Sequence, residues 1–291
     1  MDRVAKATGR SYHLFDYVGP ADADTVLVSI GSSSEVIEQT LPSLASLGYK
    51  VGVVKVRLFR PFSAQALMAA VPESVRTIVA LDRTKEPGAE GEPLFKDVAT
   101  AVLMSGRSGI SVHGCRYGLS SKDFTPAMVK AIADEVRSAS PRRFFTVGIT
   151  DDVTHLSLDV DYSFIVEPMT GAEGKECMQA VFYGMGSDGT VGATKQAARI
   201  ISDVGNLYAQ AYFSFSAKKS GGYTVSELRF APTPVKAAYS ITDADYVACC
   251  KDVYVKRFRL ARNLRQGGTF VLNCSWTCLL YTSDAADERS S

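Results

Sequence analysis

Between residues 25 and 136, short β-branched runs alternate with stretches of helical periodicity, and this alternation constrains the 291-residue chain more than any other feature. Residues 25–30 (TVLVSI), 50–58 (KVGVVKVRL), 77–82 (TIVALD) and 110–116 read as buried strands. After the first comes a helix with Val36, Ile37, Thr40, Leu41, Leu44 and Leu47 on one face, stopped by Gly48 and expected to bend at Pro42. Ser63 caps a short helix through Leu67 and Val71, a third helix covers 95–104, and Thr125-Pro126 starts a fourth through Val129, Ile132 and Val136. Strands alternating with helices in this way make right-handed βαβ crossovers and a parallel sheet covered on both faces.

The polar, proline-containing stretch 138–143 (SASPRR) reads as the boundary to a second α/β unit. There, 144–149, 163–166, 177–183 and 208–215 read as strands, with a helix over 190–201. Residues 224–230 alternate at period two and suit an antiparallel strand. Strands at 245–249 and 269–272, with a helix over 253–264 between them, complete the unit. The fold class is therefore α/β in two consecutive domains, a parallel sheet followed by a Rossmann-like domain with some antiparallel strands.

Composition removes several classes of function. Lysine plus arginine number 32 against 31 acidic residues, a net charge of +1 that gives no global attraction to nucleic acid or to an anionic membrane. Six cysteines without a C-x-x-C pair, and three histidines, read as reduced thiols and not as a zinc or iron–sulfur site held by this chain. Residues 1–10 lack an apolar signal region, and no apolar run reaches the roughly 18 residues of a membrane span. These features lead to the expectation of a soluble, cytoplasmic protein.

The most informative segment is 181–195, VFYGMGSDGTVGATK. Gly184, Gly186 and Gly189 form G-x-G-x-x-G between a strand and a helix, where backbone N–H groups and the helix dipole favour a phosphate. The plain alternative is a tight turn that binds nothing. A NAD site also expects an acid at the end of the next strand. Here 208–215 runs into Ser216-Ala217-Lys218-Lys219, and two lysines suit a phosphate on the adenosine ribose, as in NADP or coenzyme A. A solvated loop is the alternative for the lysines. Capping accounts for Gly31–Ser34 and hydrogen bonding for Asp151, Asp152 and His155, while Arg57 and Arg60 can grip a carboxylate or a neighbouring domain. There is no G-x-S-x-G and no catalytic constellation, so the chain reads as part of an enzyme and not the part that reacts.

On residues 147–158 (VGITDDVTHLSL), 166–201 (including EPMTGAEGKECMQAVFYGMGSDGTVGATK) and 216–230 (SAKKSGGYTVSELRF), the sequence resembles pyruvate:ferredoxin (flavodoxin) oxidoreductase. Residues 51–63 (VGVVKVRLFRPFS) and 81–98 (LDRTKEPGAEGEPLFKDV) are similar to that family's preceding domain, which has a transketolase C-terminal fold. The likeness spans 9–276 and implies an internal fragment: a transketolase-C-like domain at 10–138 and a coenzyme-A-binding domain at 144–276.

The resemblance implies oxidative decarboxylation of pyruvate to acetyl-coenzyme A, with electrons passed to ferredoxin or flavodoxin. Thiamine diphosphate, magnesium and 4Fe–4S clusters belong to missing domains of the same polypeptide, which as a whole is implied to be a homodimer. It assigns Gly186, Ser187, Asp188, Gly189 and Thr190 to the coenzyme A loop, and Lys218 or Lys219 to a basic contact. Thr194 departs from the family pattern, and 277–291 reads as a non-native, disordered tail. Beside this reading stand a self-contained NADP-binding oxidoreductase and a non-catalytic interaction module.

Overall fold

The computed structural model describes residues 2–151, 153–166, 177–216 and 222–275. The chain divides into two compact units, one of residues 1–166 with Lys236–Tyr239, the other of 167–235 and 240–291. The expected tail at 277–291 lies outside the described residues.

The first unit opens with helix α1 (Asp2–Thr8) and strand β1 (Phe15–Val18). It continues through β2 (Thr25–Ile30), α2 (Ser33–Ser46), β3 (Val51–Val56), α3 (Ala64–Ala70), β4 (Thr77–Asp82), α4 (Pro93–Ser105), β5 (Ser111–Arg116), α5 (Pro126–Arg137) and β6 (Phe144–Thr146). The sheet order is β1-β3-β2-β4-β5-β6, with β1 antiparallel at one edge and every other pair parallel.

Strand side chains alternate between two cores, as the pleat requires. Val26, Val28, Val54, Ile78 and Ala80 pack with Leu67 and Met68 of α3 and Leu94 and Val98 of α4. Leu27, Val53, Val79 and Leu81 pack with Val36, Ile37 and Leu44 of α2 and Val129 and Ile132 of α5. All of these side chains are buried, which is why β2 and β4 read as nearly continuous apolar runs. Helix α2 passes through Pro42 without interruption.

Two differences from the sequence reading concern this unit. The stretch 138–143 is the short α5–β6 connection, and Phe144–Thr146 pairs in parallel with β5, so these residues extend the first sheet. The division between the units falls at Val166, downstream of the boundary read at 138–143. Residues 163–166 form no strand; Asp161 accepts from the Ser163 N–H and hydroxyl in a local turn that competes with extended pairing.

The second unit holds β7 (Met178–Met185), α6 (Thr190–Asp203), β8 (Tyr208–Phe215), β9 (Tyr223–Ala231), β10 (Ala244–Cys249) and β11 (Leu264–Leu272). Its order is β11-β10-β7-β9-β8, with β9 antiparallel to both β7 and β8. β7 and β8 thus run in the same direction with β9 inserted between them, a split βαβ crossover. The helix expected over 253–264 is replaced by two 3₁₀ turns, Asp252–Tyr254 and Leu260–Asn263. Tyr254, Phe258 and Leu260 are spaced by four and then two, too irregular for a helical stripe, and they pack as one cluster with Cys249.

Candidate functional site

The turn between β7 and α6 is shaped by steric demands that only glycine meets at two positions. A Cβ on Gly184 would lie 2.5 Å from Thr190 Oγ1, and Gly189 adopts φ +89° as the N-cap of α6. The Gly186 N–H donates to the Gly222 carbonyl at 2.8 Å.

Asp188 organises the rest of the turn. Its carboxylate accepts from the Met185 N–H at 2.7 Å and the Thr190 N–H at 2.9 Å, while its own N–H donates to the Met185 carbonyl. Burial pushes the Asp188 carboxyl up, and these backbone hydrogen bonds outweigh it, holding the group below the usual aspartate range. The turn therefore contains an anion of its own on the first N–H of the helix.

The strand order puts this turn at a topological switch point. From β7 the chain leaves through α6 to β8 on one side, whereas the parallel neighbour β10 lies on the other. Open α/β sheets bind ligands in the crevice outside such strand ends. The end of β10 forms the second wall: the Cys250 N–H donates to the Tyr183 carbonyl at 2.9 Å, and Thr190 Oγ1 donates to Cys250 Sγ at 3.6 Å. The Lys251 charge acts on Asp188, and the buried Tyr254 feels the same carboxylate.

Gly186, Ser187, Asp188, Gly189 and Thr190 thus share one turn. Lys218 and Lys219 lie outside the described residues. The residues flanking that segment are held near the turn: the Ser216 N–H donates to the Tyr223 carbonyl, and Gly222 accepts from Gly186. Cys250, Lys251 and Tyr254 were not singled out from the sequence. Their proximity to the turn comes from strand order, and no local motif near residue 250 signals it.

The weaker sequence features resolve into internal contacts. Ser32 occupies the N-cap of α2 without a side-chain bond; instead Ser33 Oγ pairs with the Tyr117 hydroxyl at 2.7 Å. Arg57 pairs with Asp16 at 2.9 Å and Arg60 with Asp97 at 2.6 Å, so each grips a carboxylate of its own unit. Asp151 pairs with Lys122, and Asp152 lies outside the described residues. The described cysteines are free thiols, and no helix among the described residues is long and apolar enough to cross a membrane.

Two α/β units of this order, the second with a glycine turn at its switch point, define the class. A family model described as pyruvate:ferredoxin oxidoreductase core domain II matches residues 23–129, and one described as pyruvate ferredoxin/flavodoxin oxidoreductase matches 179–289. The second match runs past Trp276, where the sequence reading ended the resemblance. The chain carries two consecutive domains of the pyruvate:ferredoxin/flavodoxin oxidoreductase type.

Among relatives, the pyruvate:ferredoxin oxidoreductase of Moorella thermoacetica is 50% identical over 95% of this chain. The pyruvate-flavodoxin oxidoreductase of Rhodospirillum rubrum is 51% identical over 94%. The mitochondrial pyruvate dehydrogenase (NADP+) of Euglena gracilis is 50% identical over 95%. The chain spans 23%, 23% and 15% of the length of these relatives and corresponds to a partial region of them.

Proposed function

We propose that this chain supplies the coenzyme-A-binding region of an enzyme that oxidatively decarboxylates pyruvate to acetyl-coenzyme A and passes electrons to ferredoxin or flavodoxin. The observation that carries the reading is the turn at residues 186–190, which ends β7 and opens α6 at the switch point of the second sheet. In this reading the turn meets the pyrophosphate and Lys218 or Lys219 meets the phosphate on the adenosine ribose. Thiamine diphosphate, magnesium and iron–sulfur clusters belong to the parts of the enzyme outside this chain, as does the oxidation chemistry they supply. The full-length enzyme is proposed to work as a cytoplasmic homodimer.

Calorimetric titration of the 291-residue chain with coenzyme A, 3′-dephospho-coenzyme A and NADPH tests the reading. Coenzyme A should bind, and replacing both Lys218 and Lys219 with Ala should weaken it more than the dephospho form. Equal losses for the two ligands would remove the ribose-phosphate contact. The name of the Euglena gracilis relative favours NADP as a second reading. NADPH binding well above that of coenzyme A would support it, and stable self-association without either nucleotide would support an interaction module.

A further inference from the structure

A phosphate arriving at the turn after β7 meets the carboxylate of Asp188, which already occupies the N–H groups of Met185 and Thr190. Two anions at one helix N-terminus repel unless a cation lies between them. Lys195, on the first turns of α6, sits 5.3 Å over the ring of Phe213 in the adjoining strand β8. Lys251 sits at the switch point itself, directly after Cys250, whose N–H and Sγ tie the end of β10 to Tyr183 and Thr190. It is half-buried, its charge acts on Asp188, and its ammonium makes no hydrogen bond among the described residues.

We infer that Lys251 is a binding residue for the pyrophosphate of a nucleotide seated on the 186–190 turn, offsetting Asp188 and reaching the ligand from the β10 side. This rests on the nucleotide reading of the turn and adds a residue outside the glycine segment and outside Lys218 and Lys219. The ligand would then bridge the ends of β7 and β10. The pyrophosphate is common to coenzyme A, its 3′-dephospho form and NADPH, so the inference does not depend on which of them binds.

The test is titration of wild type, Lys251→Gln and Lys251→Arg with those three ligands, with thermal melts as the folding control. Lys251→Gln should weaken coenzyme A and 3′-dephospho-coenzyme A equally, by about tenfold for a lost charge-assisted contact. Lys251→Arg should keep most of the affinity. If Lys251→Gln melts early, Lys251→Met repeats the measurement with the apolar stem retained. Wild-type affinity in the Gln variant overturns the inference and leaves the coenzyme A reading standing. A loss confined to coenzyme A overturns it too, because the lysine would then sit on the ribose phosphate. Lysine-dependent binding of NADPH alone supports the inference and removes the coenzyme A reading. A wild-type chain that binds none of the three removes both.

Discussion

Lys236 Nζ donates to the Glu38 carboxylate at 2.6 Å across 198 positions of sequence. Lys55, from the adjacent strand β3, reaches the same carboxylate. Burial pushes the Glu38 carboxyl up, and the hydrogen bonds from Lys236 and Lys55 more than reverse this, so it titrates below the usual glutamate range. The Gln39 amide donates to the Tyr239 hydroxyl at 3.2 Å, so both ends of the returning segment are fixed on α2.

Glu38→Gln should therefore destabilise the chain more than Lys236→Ala. The Lys55 side chain is only 10% exposed and would be left with its charge unpaired, whereas Lys236 is 40% exposed. About 2–4 kcal/mol is expected for the first change and about 1 or less for the second. Because the carboxyl is depressed, its contribution is present above the ordinary glutamate pKa and is lost as pH falls through the folded value. Urea melts at two pH values check this, and equal losses for the two variants would count against Glu38 as the shared partner of Lys55 and Lys236.

Asp82 predicts the opposite pH dependence. At the end of β4 its carboxylate accepts from the Leu94 N–H at 2.9 Å and the Phe95 N–H at 3.1 Å, capping α4 from another element. Burial raises its pKa to about 6 against those two bonds. Its protonated form is favoured by the fold, so that stability is fully present below the unfolded pKa near 3.8 and is lost as pH rises through about 6. Asp82→Asn should flatten the stability profile between these values, and an unchanged slope counts against the assignment.

Gly184→Ala should destabilise the second unit by about 1–3 kcal/mol, the usual range for forced overpacking. The new methyl would meet Thr190 Oγ1 at 2.5 Å and Thr190 Cβ at 2.7 Å. Adding Thr190→Gly removes both atoms and should recover a large part of the loss. A double variant no more stable than Gly184→Ala would mean that Asp188, whose Oδ2 lies 3.0 Å from the same position, and not Thr190 sets the constraint.

Asp188→Ala strips the acceptors from the Met185 and Thr190 N–H groups. A lost cap of this type costs about 1 kcal/mol. The depressed carboxyl stabilises the turn above the ordinary aspartate pKa and ceases to do so as pH falls through its folded value. Hydrogen exchange should quicken at Thr190 in the variant while β7 stays protected. Unchanged protection there would contradict the capping role.

Much of the first unit was legible because its central strands β2 and β4, buried on both faces, are nearly continuous apolar runs. TVLVSI and TIVALD needed no context. β1 was missed because FDYV is four residues long at an antiparallel edge, with only Phe15 buried. The apolar residues of 253–264 gave a false helix because Tyr254 and Phe258 stand one turn apart, but they serve an aromatic cluster in which Phe258 also meets Tyr223 at 4.9 Å. The glycine turn was visible as spacing. Cys250 and Lys251 were not, since their nearness to Asp188 depends on which strand lies beside β7.

The return of Lys236–Tyr239 to the first unit also sets an order of events during synthesis. A ribosome delivers Glu38 198 residues ahead of its partner Lys236, which emerges only after residues 167–235 of the second unit have been made. Until then the nascent first unit holds Glu38 and Lys55 without their third member. A ribosome stalled before residue 236 would carry a first unit that lacks the Lys236–Glu38 pair and the Gln39–Tyr239 hydrogen bond.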